Sequence, residues 1–325
     1  MDKTPNIEER FQQPAHWHWR HFIHKNRTIR FGCCLPESGQ PEAIIVCMPG
    51  LSEFGEKYFE LARNLRDQNF AVWVIDWMGQ GHSERYFKSN PHKRHSHGIE
   101  NDVEDLHMLY TKHIEPNNVG TAPIIMLAHS MGGNIGLRYL AKHPKTFRAA
   151  FFSAPLLGLT VTKPLPRFIA QGFLSLMNIL AGRSYAPGQT NWRENMRPSP
   201  GSDIFSSDPA RGALQNYWCL FDTQLQNGGI TWGWLYQIYK SCGILQKSET
   251  LQKIDIPCLF ALAGRDELVD NDAARKIAVQ LNQAKTIDFP EGLHELLMEK
   301  DEIRTPIIEA ITKLVKSACA DSHNP

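Results

Sequence analysis

The stretch that most constrains this chain is Pro123-Ile-Ile-Met-Leu-Ala-His-Ser130-Met-Gly-Gly133. Ile124 to Leu127 read as a fully buried strand, and Gly132 to Lys142 as a helix. Ser130 falls between them, with Ala128 two residues before it and Gly132 two after. A strand that becomes a helix over so few residues leaves no room for large side chains at those flanking positions. It also presents the Ser130 hydroxyl at a helix N-terminus, where the dipole and free amides favour developing negative charge. Two readings fit. One is a tight turn exposing a nucleophile; the other is an ordinary strand–turn–helix with an incidental Ser. Ala128 stands where such a turn usually carries Gly, which the turn tolerates if φ at 128 stays negative.

The rest of the chain bears on that choice. Its 325 residues suffice for one large α/β domain, or for a core with an inserted lid. A formal net charge of +1 gives no global field to draw in nucleic acid. No stretch reaches the roughly 18 consecutive apolar residues of a spanning helix. The polar start, Met1 to Arg10, has no apolar core segment, so no secretory signal is expected. The seven cysteines are an odd number, and Cys47 and Cys258 sit in apolar runs. That suits buried free thiols in a reducing, cytoplasmic compartment. Cys33 and Cys34 are expected on opposite faces of one strand.

Ala15 to His24 carries four histidines and two tryptophans. It reads as an amphipathic segment laid over the core or as a metal site, and no carboxylate or Cys joins the histidines at ligand spacing. Thr28 to Leu35 reads as a strand closed by a turn-rich segment to Pro41. Ala43–Met48 and Ala71–Ile75 read as central parallel strands, with a helical face over Tyr58 to Gln68 between them. Pro91 to His97 reads as a solvated basic loop, with metal binding by His92, His95 and His97 as the alternative. A helix over Ile99 to His113 precedes the Ser130 unit, and a strand over Arg148 to Ser153 follows it. This alternation implies α/β architecture with a mostly parallel sheet.

From Leu156 to about Gln246 the alternation stops. This stretch holds Trp192, Trp218, Trp232 and Trp234, four of the eight tryptophans, together with Pro164, Pro166, Pro187, Pro198 and Pro200. It reads as an inserted, mainly helical lid over residues 156–246, with the core formed by 1–155 and 247–325. The core resumes with a strand at Ile256 to Leu262. A helix over Ala273 to Leu281, a strand over Thr286 to Phe289 and a closing helix over Asp301 to Ser317 complete it.

A serine nucleophile needs a base and a carboxylate to orient that base. After residue 143 the histidines are His294 and His323. His323 lies in a tail expected to fray. His294 follows a strand and precedes the last helix, so it is the candidate base. Asp266 is the first carboxylate after the resumed strand, at the sheet end where such folds place their sites. Asp270 is the runner-up, and its place before Asn271 suits a helix cap. The oxyanion would need two backbone donors. The amides of Met131 and Leu51 are the candidates, with Gly50 letting the chain turn.

These pieces resemble the α/β-hydrolases of the lysophospholipase and monoacylglycerol lipase group, over roughly residues 28 to 315. The matching stretches are Pro49-Gly-Leu-Ser-Glu53 with Tyr58, Asp76-Trp-Met-Gly-Gln-Gly-His-Ser83, His129-Ser-Met-Gly-Gly133, Gly264-Arg-Asp266 and Gly292-Leu-His-Glu295. Thr231-Trp-Gly-Trp234 is similar to bacterial lysophospholipases. Ala128 and Met48-Pro49 depart from the pattern, replacing the usual Gly and His, and neither removes a backbone donor. The resemblance implies carboxylester hydrolysis on a single-chain lipid, with no metal or organic cofactor. A peptidase or thioesterase on the same fold, or a non-catalytic lipid-binding homologue, is the alternative.

The insertion adds candidates for the substrate wall: Phe173, Leu176, Trp218, Trp232 and Trp234. Phe168 to Leu180 is mostly apolar, and Lys163, Arg167, Arg183, Arg193 and Arg197 surround it against Glu194 alone. Such a helix either roofs an acyl pocket or lies transiently on an anionic membrane surface, peripheral to its inner face.

Overall fold

The computed structural model describes residues 7–162, 166–197 and 203–321. Lys163, Pro164, Pro198, Pro200 and His323 lie outside them, as do residues 1–6. The described residues form an eight-stranded sheet: β1 (Trp17–His24), β2 (Arg27–Cys34), β3 (Ala43–Met48), β4 (Phe70–Ile75), β5 (Ile124–His129), β6 (Ala149–Ser153), β7 (Cys258–Ala263) and β8 (Ala284–Phe289). Their spatial order is β1-β2-β4-β3-β5-β6-β7-β8. The first two pairings are antiparallel, and β4 onward is parallel.

The helices follow from the pattern of buried residues. They are α1 (Phe59–Arg66), α2 (Ile99–Leu109), α3 (Met131–Lys142), α4 (Arg167–Ala181), α5 (Pro209–Phe221), α6 (Trp232–Leu245), α7 (Ser248–Leu251), α8 (Asn271–Ala278) and α9 (Asp301–Asp321). Period-two alternation in the strands divides the core in two. Ile44, Val46 and Met48 face a layer of α2, α3, α6 and α8, whereas Ala43, Ile45 and Cys47 face α1, α5 and α9. Cys33 and Cys34 split between the same two faces. The strand order reverses between β3 and β5, and crevices at the carboxyl ends of such strands are where α/β sheets bind ligands.

Several expectations change. Ala15 to His24 is not laid over the core as a separate segment but supplies the edge strand β1. A hairpin at Lys25-Asn26 joins it to β2, both residues having positive φ of 51° and 61°. That turn matches the twist of the strands it joins. Its aromatic residues obscured the strand, because Trp17 and Phe22 are buried while His18, Arg20, His21 and Ile23 are exposed. Among the described residues no group of three or more His, Cys, Asp or Glu side chains could hold a metal ion. The 91–97 stretch is not solvated throughout: Arg94, His95 and Ser96 are buried. Backbone bonds from Arg94 N to Gly229 O (3.0 Å) and from Thr231 N to Arg94 O (2.9 Å) clamp it beneath the insertion.

Trp218 and Trp234 are buried in the core, 5% and 2% exposed, rather than standing on an open wall. Trp218 packs edge-on against Phe59, Tyr217 and Phe221. Trp234 joins the cluster with Ile238, Cys242 and Leu245. Trp232 is half-buried and meets Phe173 edge-on, with ring centroids 5.7 Å apart. Truncating Trp234 to Ala should cost about 3–5 kcal/mol of stability. Phe173→Ser should cost far less, since Phe173 is 52% exposed. Denaturant unfolding followed by circular dichroism distinguishes the two.

Candidate active site

Ser130 caps α3 with φ 49° and ψ −115°, a left-handed backbone uncommon for a side-chain-bearing residue. The contacts that impose it are specific. Ser130 N donates to Ser153 O at 3.0 Å, and Ser130 O accepts from Gly133 N at 2.9 Å and from Leu156 N at 2.9 Å. Ala128 lies in β5, opposite Met48, and keeps negative φ. A Cβ on Gly132 would stand 2.1 Å from Met48 O, so the β5–α3 turn sits directly on the end of β3.

The three side chains singled out from sequence meet here. His294 Nε2 is 2.9 Å from Ser130 Oγ, and His294 Nδ1 is 2.7 Å from Asp266 Oδ2. The tautomer with its proton on Nδ1 suits both contacts: Nδ1–H donates to the carboxylate, and Nε2 accepts from the hydroxyl. Asp266 Oδ1 accepts from the amides of Leu268 (2.9 Å) and Val269 (3.0 Å), which fixes the carboxylate. Burial pushes the Asp266 carboxyl up. The hydrogen bond and charge of His294, with those two amides, outweigh it and hold the group below the ordinary carboxylate range. Asp270 instead caps α8, accepting from Asp272 N at 2.9 Å.

The loop after β3 is held from two sides. Glu53 Oε2 accepts from Gly50 N at 2.6 Å, and Gln80 Nε2 donates to Gly50 O at 2.9 Å. Because the peptide is planar and trans, fixing Gly50 O fixes the direction of the Leu51 N–H on the same plane. Trp77 Nε1 donates to Pro49 O at 2.8 Å, and Gln80 Oε1 accepts from Ser52 N at 2.9 Å. The Asp76–Ser83 loop is therefore the scaffold of the 49–53 loop. Neither the Leu51 nor the Met131 amide donates to another group among the described residues. Gly50 approaches Ser130 closely, since a Cβ there would lie 3.2 Å from Ser130 Cβ.

Sequence reasoning assigned no role to the buried charges behind the loop. Lys57 Nζ donates to Glu53 Oε1 and to Glu295 Oε1, each at 2.8 Å, and Arg197 pairs with Glu295 from the insertion. Tyr58 OH donates to Glu53 Oε2 at 2.9 Å. Burial opposes ionisation of Glu295, but Arg197 and Lys57 hold it well below the ordinary carboxylate range. The four-residue spacing of Glu53 and Lys57 was the available signal; nothing local ties either to Glu295 or Arg197.

The family model Hydrolase_4, described as "Serine aminopeptidase, S33", matches residues 39–301. The chain belongs to this family. It is 28% identical over 295 residues to lysophospholipase L2 of Escherichia coli K12, covering 87% of this chain and 83% of that one. It is 25% identical over 316 residues to the Homo sapiens monoglyceride lipase, covering 94% and 93%. Among solved structures it resembles a soluble variant of the Saccharomyces cerevisiae monoglyceride lipase in complex with a substrate analog. The TM-score is 0.75 at 16% identity, covering 94% of this chain and 97% of that one. The chain is thus an α/β-hydrolase of the lysophospholipase and monoacylglycerol lipase group, as its sequence motifs implied.

The contact at Gly132 sets a test of the turn. Gly132→Ala should drive its Cβ into backbone that cannot yield and lower the thermal midpoint sharply. Gly172→Ala, on exposed α4 with nothing within 4 Å, should raise stability by about 1 kcal/mol. Thermal unfolding of both variants checks the contrast.

Proposed function

We propose that this chain hydrolyses single-chain lipid esters through an acyl-enzyme on Ser130. Carboxylic ester hydrolysis is the activity class of the group to which the chain belongs. The single observation that carries the mechanism is the hydrogen-bonded run from Ser130 Oγ through His294 to Asp266. Ser130 Oγ attacks the acyl carbonyl as His294 Nε2 takes its proton. Asp266 holds the ring in the required tautomer and stabilises the imidazolium that forms. The Leu51 and Met131 amides receive the oxyanion. His294 returns the proton to the leaving alcohol, and water, activated by the same base, releases the fatty acid.

The insertion 156–246 acts in this reading as the lid that engages lipid. On α4, Phe168, Ile169, Phe173, Leu176, Ile179 and Leu180 are all exposed. An apolar face of that kind, with Arg167 and Arg183 at its two ends, suits transient contact with an anionic lipid surface. No helix among the described residues is long and apolar enough to cross a membrane.

Ser130→Ala should abolish turnover and labelling by a fluorophosphonate while leaving the fold intact. Asp266→Asn should cost about 10⁴-fold in kcat, whereas Asp270→Asn should cost little. A screen of long-chain lysophospholipids, monoacylglycerols, thioesters and aminoacyl amides separates ester hydrolysis from the peptidase and thioesterase readings. Preference for the amides would overturn the lipid assignment.

A second test concerns the lid. Each acyl methylene removed from water contributes about 0.8 kcal/mol. The double variant Phe173→Ser, Leu176→Ser should therefore lower kcat/KM for a long-chain lysolipid far more than for a short nitrophenyl ester. Both are measured below the lipid's aggregation concentration. Equal losses would exclude α4 as a wall for the acyl chain.

A further inference from the structure

The buried charges behind the 49–53 loop form a continuous chain with a defined start and end. Arg197, in the insertion, offers Nη1 to Glu295 Oε2 at 3.3 Å and Nη2 to Glu295 Oε1. Glu295 is the residue after His294. Its Oε1 also accepts from Lys57 Nζ, which donates to Glu53 Oε1 as well. Glu53 Oε2 then accepts from Gly50 N, one peptide unit from the Leu51 amide. The side chains of Lys57, Glu53 and Glu295 are almost fully buried, and that of Arg197 is 12% exposed. Two cations alternate with two anions, so the chain is neutral only while Arg197 is in place.

We propose that Arg197 is a positioning residue that couples the insertion to the oxyanion loop through Glu295, Lys57 and Glu53. The inference rests on the reading of Ser130 as nucleophile and of the Leu51 amide as oxyanion donor. Without Arg197, Lys57 alone serves two carboxylates. The cluster then carries an uncompensated negative charge beside the place where the oxyanion develops. Lys57 is drawn toward Glu295, and Glu53 keeps Tyr58 as its side-chain donor but loses the cation that holds its other oxygen. In low dielectric both changes oppose negative charge on the substrate oxygen.

A second contact strengthens the coupling. The Arg197 guanidinium lies 4.1 Å from the centroid of the Phe205 ring, itself 6.4 Å from the His294 ring. The backbone of the same segment accepts from His294 N (Ile204 O, 3.4 Å) and from Glu295 N (Phe205 O, 2.7 Å). Arg197 therefore touches the support of the base and the support of the oxyanion loop at once.

The test uses the full chain, a short nitrophenyl ester too small to need the lid, and a fluorophosphonate probe of Ser130. Arg197→Met should lower kcat on the short ester by about 10- to 100-fold, part of the loss that removing an oxyanion donor brings. KM should stay within about twofold, and the phosphonylation rate should fall by the same factor as kcat. Arg197→Lys, which keeps the charge, should recover most of both rates. Arg197→Gln, which keeps a donor without the charge, should remain slow; it replaces the Met variant if that one does not fold. Unchanged kcat and labelling, with a higher KM confined to long-chain lipids, would overturn the inference and leave Arg197 as a strut of the insertion. An equally slow Lys variant would overturn it too. A wild-type protein that the probe does not label at Ser130 would instead remove the underlying reading of the site, which separates the two failures.

Discussion

The β5–α3 turn rests on the end of β3 with no side chain between them. Gly132 faces the Met48 carbonyl at a distance that excludes even a methyl group. In the parallel register Met48 lies opposite Ala128, so the two strands end together. Their exits diverge, one into the 49–53 loop and one into α3. The divergence leaves Gly50 close to Ser130, a Cβ there standing 3.2 Å from Ser130 Cβ. At the start of α3, Ser130 has a positive φ, and its hydroxyl meets His294 Nε2. Strain of about 1–3 kcal/mol persists at such a residue only where its surroundings over-determine it. Here those surroundings are backbone bonds from β6 and from Leu156.

The other half of the constellation is held differently. Asp266 follows β7 directly, and local amides fix it. His294 lies in a loop five residues beyond β8, which the end of β7 holds only as far as Gly292, whose O accepts from Arg265 N at 3.0 Å. Beyond Gly292, Ile204 and Phe205 accept its backbone amides. Glu299 accepts from Leu293 N at 2.8 Å and from Ser207 N at 3.0 Å, joining the loop to the insertion a second time. Arg211 on α5 extends the junction through paired bonds to Glu60 at 2.8 Å each and one to Asp301 at 2.7 Å. Residues 204–207 are thus part of the framework that holds His294.

That division explains what could be read from sequence. The strands β3, β4, β5 and β6 were legible because buried parallel strands are continuous apolar runs. Ser130, Asp266 and His294 could be paired because each follows a strand in the order the fold requires. β1 was not legible: its buried residues, Trp17 and Phe22, are five apart and break the alternation. Trp218 and Trp234 were placed at the substrate wall because composition marks bulk and amphipathicity but not direction. Burial of Arg94 and His95 was hidden for a related reason. A basic stretch reads as solvated unless one knows that residues 229–231, more than a hundred positions later, will cover it. Interactions that close over long sequence separations leave no periodic trace.

The charge cluster at Glu53, Lys57, Glu295 and Arg197 belongs to that class, and its energetics say what it contributes. Burying charges costs several kcal/mol per ion, and well-packed apolar residues of the same volume are often as stable. Stability alone is therefore a weak reason to bury four charges beside a loop. Direction is a better one. Apolar packing is non-directional and could fill the space behind residues 49–53 without specifying which way a peptide plane faces. Glu53 accepting from Gly50 N, with Trp77 Nε1 donating to Pro49 O, fixes the Pro49–Gly50 plane, and Gln80 donating to Gly50 O fixes the adjoining Gly50–Leu51 plane. Glu53 binds Gly50 N most strongly while ionised, and against the cost of its burial Lys57, first among the opposing groups, favours that form. Because Lys57 divides itself between Glu53 and Glu295, the orientation of one peptide beside Ser130 depends on what else Glu295 binds. In this fold that partner is Arg197, from the insertion.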